Sequence, residues 1–288
     1  MTGPNAAVGG PSPSYLDWLP SDSDAATADA LVIAPGESAA STQPRSDTAP
    51  GSVTVVAGAH GGSGATITTL LIAMVAASES TASVIALDGT PVGGDLTTRA
   101  PAEHCHPSWW QQWLIGDHDP AAIPASGWTV LGRDRTLGEA ASPLADAITS
   151  LREQDRSVIV DAGASVGSPW FDSAADLADH IIVTIDDRPG AANASRPVLS
   201  MLRRRLGSEE MGRTVHLVVT SQRPGIDHVT GPLADALSGR VAGVHHLPYD
   251  SEIATGVGID PSLLSPRSFT IAHHIHTSTS TSREATTP

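Results

Sequence analysis

Six short apolar runs set the rhythm of the chain: VTVVA (53–57), SVIALD (83–88), SVIVDA (157–162), HIIVTI (180–185), TVHLVVT (214–220) and VAGVHHL (241–247). Most are nearly continuous in apolar residues and rich in Val and Ile. That is the pattern of strands buried on both faces of a parallel sheet. GWTVLG (127–132) is a shorter seventh run of the same character. Helical spacing fills the intervals at 64–78, 143–153, 171–178, 190–206 and 229–238, and 262–276 reads as a closing helix. Strand–helix alternation from 51 to 276 predicts one α/β domain with a doubly wound, mostly parallel sheet flanked by helices.

The two ends break this rhythm. Residues 1–50 are rich in Gly, Pro, Ser, Thr, Ala and Asp with little periodicity, and are expected to form a disordered arm. A short apolar motif, SPSYLDWLP at 12–20, interrupts the arm. Its Tyr15, Leu16, Trp18 and Leu19 suit either docking to a partner or packing on the chain's own domain. Residues 277–288 are expected to be a disordered tail.

Charge narrows the choice of partners. The 288 residues carry 31 acidic and 16 basic side chains, a net charge of -15, and every basic residue is Arg. An acidic chain is a poor binder of nucleic acid or anionic lipid, which need clustered cations. Cys105 is the one cysteine, so no intrachain disulfide forms and a cytoplasmic location is expected. The N-terminus has no basic-then-apolar leader, and no apolar run approaches the ~20 residues of a membrane helix.

VTVVAGAHGGSGATITTLL (53–71) carries the candidate chemistry. A strand, a glycine-rich turn and a helix in that order suit a loop whose backbone N–H groups curl around a phosphate. Gly58, Gly61, Gly62 and Gly64 leave room for that approach. Thr66 stands where a hydroxyl would hold Mg²⁺, and Ala65 stands where a lysine would reach the phosphates. Gly58, Gly62 and Gly64 also fit a G-x-x-x-G-x-G pattern similar to that of the short-chain dehydrogenases, with Asp88 placed for a ribose hydroxyl. That family's Tyr-x-x-x-Lys pair cannot be built without lysine. The pattern therefore leaves a non-catalytic dinucleotide-binding sensor.

The downstream segments point elsewhere. LDGTPVGGDL follows the second strand, IVDAG ends the fourth, HIIVTIDDRPGAANASRPVLSMLRRR is a strand and long helix, and LPYDSEIATG lies at 247–256. In this order they resemble the ParA/MinD family of deviant-Walker P-loop ATPases. The resemblance covers about residues 52–276, and is nearest to the members found in actinobacterial secretion or conjugation clusters.

The resemblance implies a P-loop NTPase-like fold that binds ATP with Mg²⁺. Nucleotide would contact Gly61, Gly62, Ser63, Gly64, Ala65, Thr66 and Pro248, and the metal would contact Thr66, Asp88 and Asp161. The family loop reads K-G-G-x-G-K-T, whereas His60 and Ala65 replace both lysines here. Thr90 replaces the carboxylate associated with the attacking water, and TSQRP (220–224) lacks the family's base-side Asn.

Phosphoryl transfer relies on positioning and charge. Each lost charge-stabilising donor costs about 2.7–4 kcal/mol of barrier. Three such losses predict a pseudo-ATPase, a regulatory or adaptor protein in partitioning, positioning, secretion or conjugation. Its expected partners are proteins, including a second copy or an active paralogue. The alternative is an active ATPase using Arg99, Arg188 or Arg223 as surrogate cations, although each is expected as a solvated surface Arg.

Other clusters get plainer readings. His104, Cys105, His106 and His118 lack the ligand spacing of a zinc site. Trp109, Trp110 and Trp113 are expected to cover a sheet edge or a partner surface. His245, His246 and the histidines of 273–276 read as solvated or capping residues. Arg203, Arg204 and Arg205 are expected to end a helix and suit its dipole.

Overall fold

The computed structural model describes residues 51–80, 82–91, 96–116, 123–124, 127–136, 142–188 and 190–281. The motif at 12–20 and His118 lie outside them. Seven parallel strands form one sheet: β1 (Val53–Gly58), β2 (Val84–Asp88), β3 (Trp128–Leu131), β4 (Ser157–Gly163), β5 (His180–Asp186), β6 (Val215–Thr220) and β7 (Gly243–Leu247). They match the seven apolar runs to within two residues at either end.

The spatial order is β3-β2-β4-β1-β5-β6-β7. β4 therefore lies between β1 and β2. A dinucleotide-binding fold needs those two side by side, in the order 3-2-1-4-5-6. The topology thus removes the dinucleotide-sensor reading. β2 to β4 lie on one side of β1 and β5 to β7 on the other, and the crevice at such a switch point, beyond the strands' carboxyl ends, is where ligands bind in open α/β sheets.

α1 (Ala65–Glu79) is apolar nearly all round, and Leu70, Leu71, Ile72 and Ala73 are fully buried. A helix of that kind must be covered on both sides. The sheet covers one side. α9 (Pro266–Thr281) contributes Ala272 and Ile275 to the same buried cluster. α9 also carries helix five residues into the expected tail at 277–288. There the Ser278 and Thr279 hydroxyls bond back to the Ile275 and His276 carbonyls.

Four more helices follow the expected intervals: α4 (Ser142–Glu153), α5 (Pro169–Ala175), α6 (Ala191–Thr214) and α7 (Thr230–Leu237); the short α8 (Ser251–Ala254) falls outside them. α6 overruns its expected end because it is two helical pieces joined at Gly207, whose φ of 81° is left-handed. The Arg203–Arg205 cluster therefore lies in the last turn of the first piece, at the helix end expected for it. Arg205 also pairs with Asp172, at 2.5 Å, and with Asp176 beside α5.

Two further expectations resolve in the core. α2 (Leu96–Arg99) and α3 (Trp110–Leu114) precede the edge strand β3. The Trp110 amide bonds to Gly132 and its indole Nε1 donates to the Asp88 carbonyl at 2.8 Å, so the tryptophans cover the sheet edge.

His245 is half-buried rather than freely solvated. His180, His216 and His245 pack across β5, β6 and β7 with successive ring centroids 5.6 Å apart. Burial, then the neighbouring imidazoles, lowers His216 to about 3, and burial with His274 lowers His245 to about 4. His246 hydrogen-bonds Ser221 at 2.9 Å, and His273 reaches Glu79 on α1 at 2.6 Å. No helix of the described residues is long and apolar enough to cross a membrane.

Candidate functional site

The glycine loop joins β1 to α1 at the centre of the sheet. Gly62 and Gly64 have φ values of 79° and 91°, which L side chains avoid. A Cβ on Gly64 would also stand 2.9 Å from Thr220 Cγ2. Neighbouring strands fasten the loop. The Ala59 amide donates to the Thr184 carbonyl at 2.9 Å, and the Ser63 and Thr184 hydroxyls lie 3.0 Å apart. Thr220 Oγ1 donates to the Ser63 carbonyl at 3.0 Å, and Gln222 Nε2 donates to the Gly62 carbonyl. The Thr220 and Gln222 bonds engage loop carbonyls. The amides of the first turn of α1 have no intrahelical acceptors, and together with the helix dipole they suit an anion.

The loop opens onto a cavity of about 560 Å³. Thr66, Ile67, Gln222, Pro248, Tyr249 and Ile253 are among its walls. All seven expected nucleotide contacts line it, including Pro248 across from the loop. A volume of this size suits a nucleotide-sized ligand.

The three expected metal-binding groups are not equivalent. Thr66 lines the cavity and donates to Asp161 Oδ2 at 2.6 Å. Asp161 is fully buried and also accepts the Gly163 amide at 2.9 Å. This hydroxyl–carboxylate pair offers hard oxygens of the kind Mg²⁺ takes. Asp88 is Asp161's register partner on β2, and its Oδ1 accepts both the hydroxyl, at 2.6 Å, and the amide of Thr90. Burial pushes the Asp88 carboxyl above its ordinary range. Among the described residues no three His, Cys, Asp or Glu are grouped to hold a metal.

Ala65 and His60 stand where the resemblance leads one to expect lysine. Ala65 puts a methyl group at the loop. His60 turns back on its own chain, with Nε2 3.7 Å from Asp186 Oδ2. Asp186 is also gripped by the Arg188 side chain, whose Nε is 2.6 Å away. Burial pushes Asp186 up, but Arg188 and then His60 outweigh this and hold the carboxyl below the usual range.

Arg188 is therefore tied to Asp186, while Arg223 is exposed. Arg99 departs from the expectation of a surface residue. It is 8% exposed, lines the cavity and donates to the Ile253 carbonyl at 2.7 Å.

Sequence reasoning missed Arg133. It donates to the Thr90 and Pro91 carbonyls at 2.6 and 2.7 Å, and its guanidinium lies 4.3 Å from the Trp170 ring centroid. It thus anchors the turn after β2. Its position just beyond the seventh apolar run was a signal that could have been followed; Trp170 and Gln222 gave none.

No protein-family model matches the chain, and no curated protein matches it. Solved structures do. The cell division ATPase MinD of Pyrococcus furiosus superposes with a TM-score of 0.60 at 17% identity, over 82% of this chain and 100% of that one. The fold is that of the ParA/MinD ATPases. A chain of the MinC:MinD cell division protein complex from Aquifex aeolicus gives 0.59 at 16% identity, over 82% and 98%. The ParA family ATPase of Chlorobium tepidum gives 0.54 at 12%, over 78% and 90%. At these identities the ParA/MinD likeness is one of backbone. The chain's own side chains decide what its loop can do.

Proposed function

We propose that this chain is a catalytically degenerate ParA/MinD-like protein. It serves as a regulator or adaptor in partitioning, positioning, secretion or conjugation, and its loop holds nucleotide weakly or not at all. The observation that carries this reading is Ala65 at the start of α1 in a chain without lysine. Neither these residues nor a second copy of them include a lysine that could take its place. His60 engaged with Asp186, and the Thr90 hydroxyl engaged with Asp88, add to the case. Were Mg²⁺ and nucleotide to bind, Thr66 and Asp161 would hold the ion, which would offset phosphate charge. The amide nest would orient the phosphates. The protein then acts through protein contacts, as a homodimer or beside an active paralogue.

One observation favours a second reading, a working ATPase with a surrogate cation: Arg99 in the cavity wall. Calorimetric titration with ATP and ADP, with and without Mg²⁺, tests both readings alongside a phosphate-release assay. The degenerate reading expects millimolar binding or none, and no turnover. Mg²⁺-dependent turnover that is lost in Asp161→Ala and in Arg99→Ala would replace it with the second.

A further inference from the structure

Ser221, His246 and Asp227 stand in line beside the cavity. Ser221 directly follows β6 and lines the cavity, and its Oγ is 2.9 Å from Nε2 of His246 on β7. Across the imidazole, Nδ1 is 3.7 Å from Asp227 Oδ2. Asp227 is held in place independently, because its Oδ1 accepts the amides of Val229 and Thr230, at 2.9 and 3.0 Å, at the start of α7. Burial pushes its carboxyl up, but the polar groups of Thr230, the Val229 amide and His246 outweigh this and keep it below the ordinary range. The His246 and Asp227 side chains are only 20% and 16% exposed, so their interaction is partly shielded from water.

A hydroxyl on a base, with the base facing a fixed carboxylate, is the arrangement by which a serine is activated, and it is recognised by geometry rather than by fold. Such contacts are often long without substrate. We propose that Ser221 is a nucleophile, His246 its general base and Asp227 the residue that positions the imidazole. The cavity then takes a small carboxylic ester. Ser221 Oγ attacks the carbonyl carbon while its proton passes to His246 Nε2. The bond to the alcohol oxygen breaks, and the departing alkoxide takes that proton, leaving an acyl-Ser221. Water then gives a proton to Nε2 and attacks the acyl carbon. The acid leaves and Ser221 recovers its proton from His246. The positive end of α1 lines the same cavity and favours the negative charge that develops.

The test uses the full chain without nucleotide, so it is independent of the titration above. A fluorophosphonate and p-nitrophenyl butyrate are the probes. The expected results are an adduct on the peptide bearing Ser221 and release of p-nitrophenol, both abolished in Ser221→Ala. His246→Gln is expected to lower the maximal labelling rate by about 10²–10⁴-fold. Asp227→Asn should lower that rate without moving the half-saturating probe concentration, and Asp227→Glu should restore part of it. Circular dichroism melts separate loss of the relay from loss of the fold, and wild-type labelling decides the matter if a variant misfolds. An unmodified Ser221 in the folded wild type, or undiminished labelling of folded His246→Gln, overturns the proposal.

Discussion

Ala65 opens α1 at the wall of the cavity, so a lysine placed there can extend toward a bound phosphate. A charged hydrogen bond contributes about 1.5–3 kcal/mol. We therefore expect Ala65→Lys to tighten Mg²⁺–ATP binding about 10- to 100-fold by calorimetry, without conferring turnover. On the proposed reading turnover should stay absent, because Thr90, bonded to Asp88, stands where the resemblance implies a water-directing carboxylate. An unchanged affinity in a folded Ala65→Lys would mean that the loop does not present a phosphate site at all. Asp161 makes a complementary case. It anchors Thr66 and the Gly163 turn from a fully buried position, so Asp161→Ala should both remove any Mg²⁺ dependence and lower the melting temperature.

Between elements, the histidine stack and Asp250 join the last strands to the helices. His216 and His245 are held neutral by burial, at about 3 and about 4, and both are depressed from the unfolded value of 6.5. The unfolded chain therefore binds more protons than the native one below that value. Stability is fully present above about pH 6.5 and falls as pH drops toward the folded values. Melting temperatures should decline from pH 7 to pH 4.5, and His216→Gln should flatten the decline. An equal slope in that variant would locate the acid sensitivity elsewhere.

Asp250 caps α8 through the Glu252 amide and accepts the Ser265 amide and the Ser268 hydroxyl, at 2.9, 2.9 and 2.6 Å. Losing a cap and stranding two donors costs on the order of 2–4 kcal/mol. Asp250→Ala should therefore lower the denaturation midpoint in urea and loosen the cavity wall at 248–256.

For the molecule as a whole, the net charge of -15 sets an expectation about partners. Duplex DNA should not retain the protein at about 0.15 M salt, since counterion release needs clustered cations; retention in a filter-binding assay would contradict this. Most of the fold was legible in advance. Val- and Ile-rich runs mark buried strands whatever their neighbours, and the expected helix over 190–206 ends where Gly207 interrupts α6. The glycine loop and Thr66 were legible from local backbone form and residue type, and Asp161 and Pro248 through the family resemblance; the loop, Thr66 and Pro248 line the cavity, and Asp161 bonds to Thr66. It was not legible at Arg133, Gln222 or Trp170, whose partners lie tens of residues away in sequence. His245 was misjudged because a polar residue in a strand reads as solvated unless the ring beside it is known.

Taken alone, the sequence determined the alternation of strands and helices, the glycine nest and the absence of lysine. Each is a property of neighbouring residues or of the chain's inventory, and so needs no knowledge of distant contacts. Tertiary structure decided that β4 separates β1 from β2, which removes a dinucleotide site. It decided that His60 faces Asp186, that Arg99 is in the cavity wall, and that Ser221 meets His246. Those outcomes depend on which strand lies beside which. Strand order is set by packing across the whole sheet, and no short stretch of the chain encodes it.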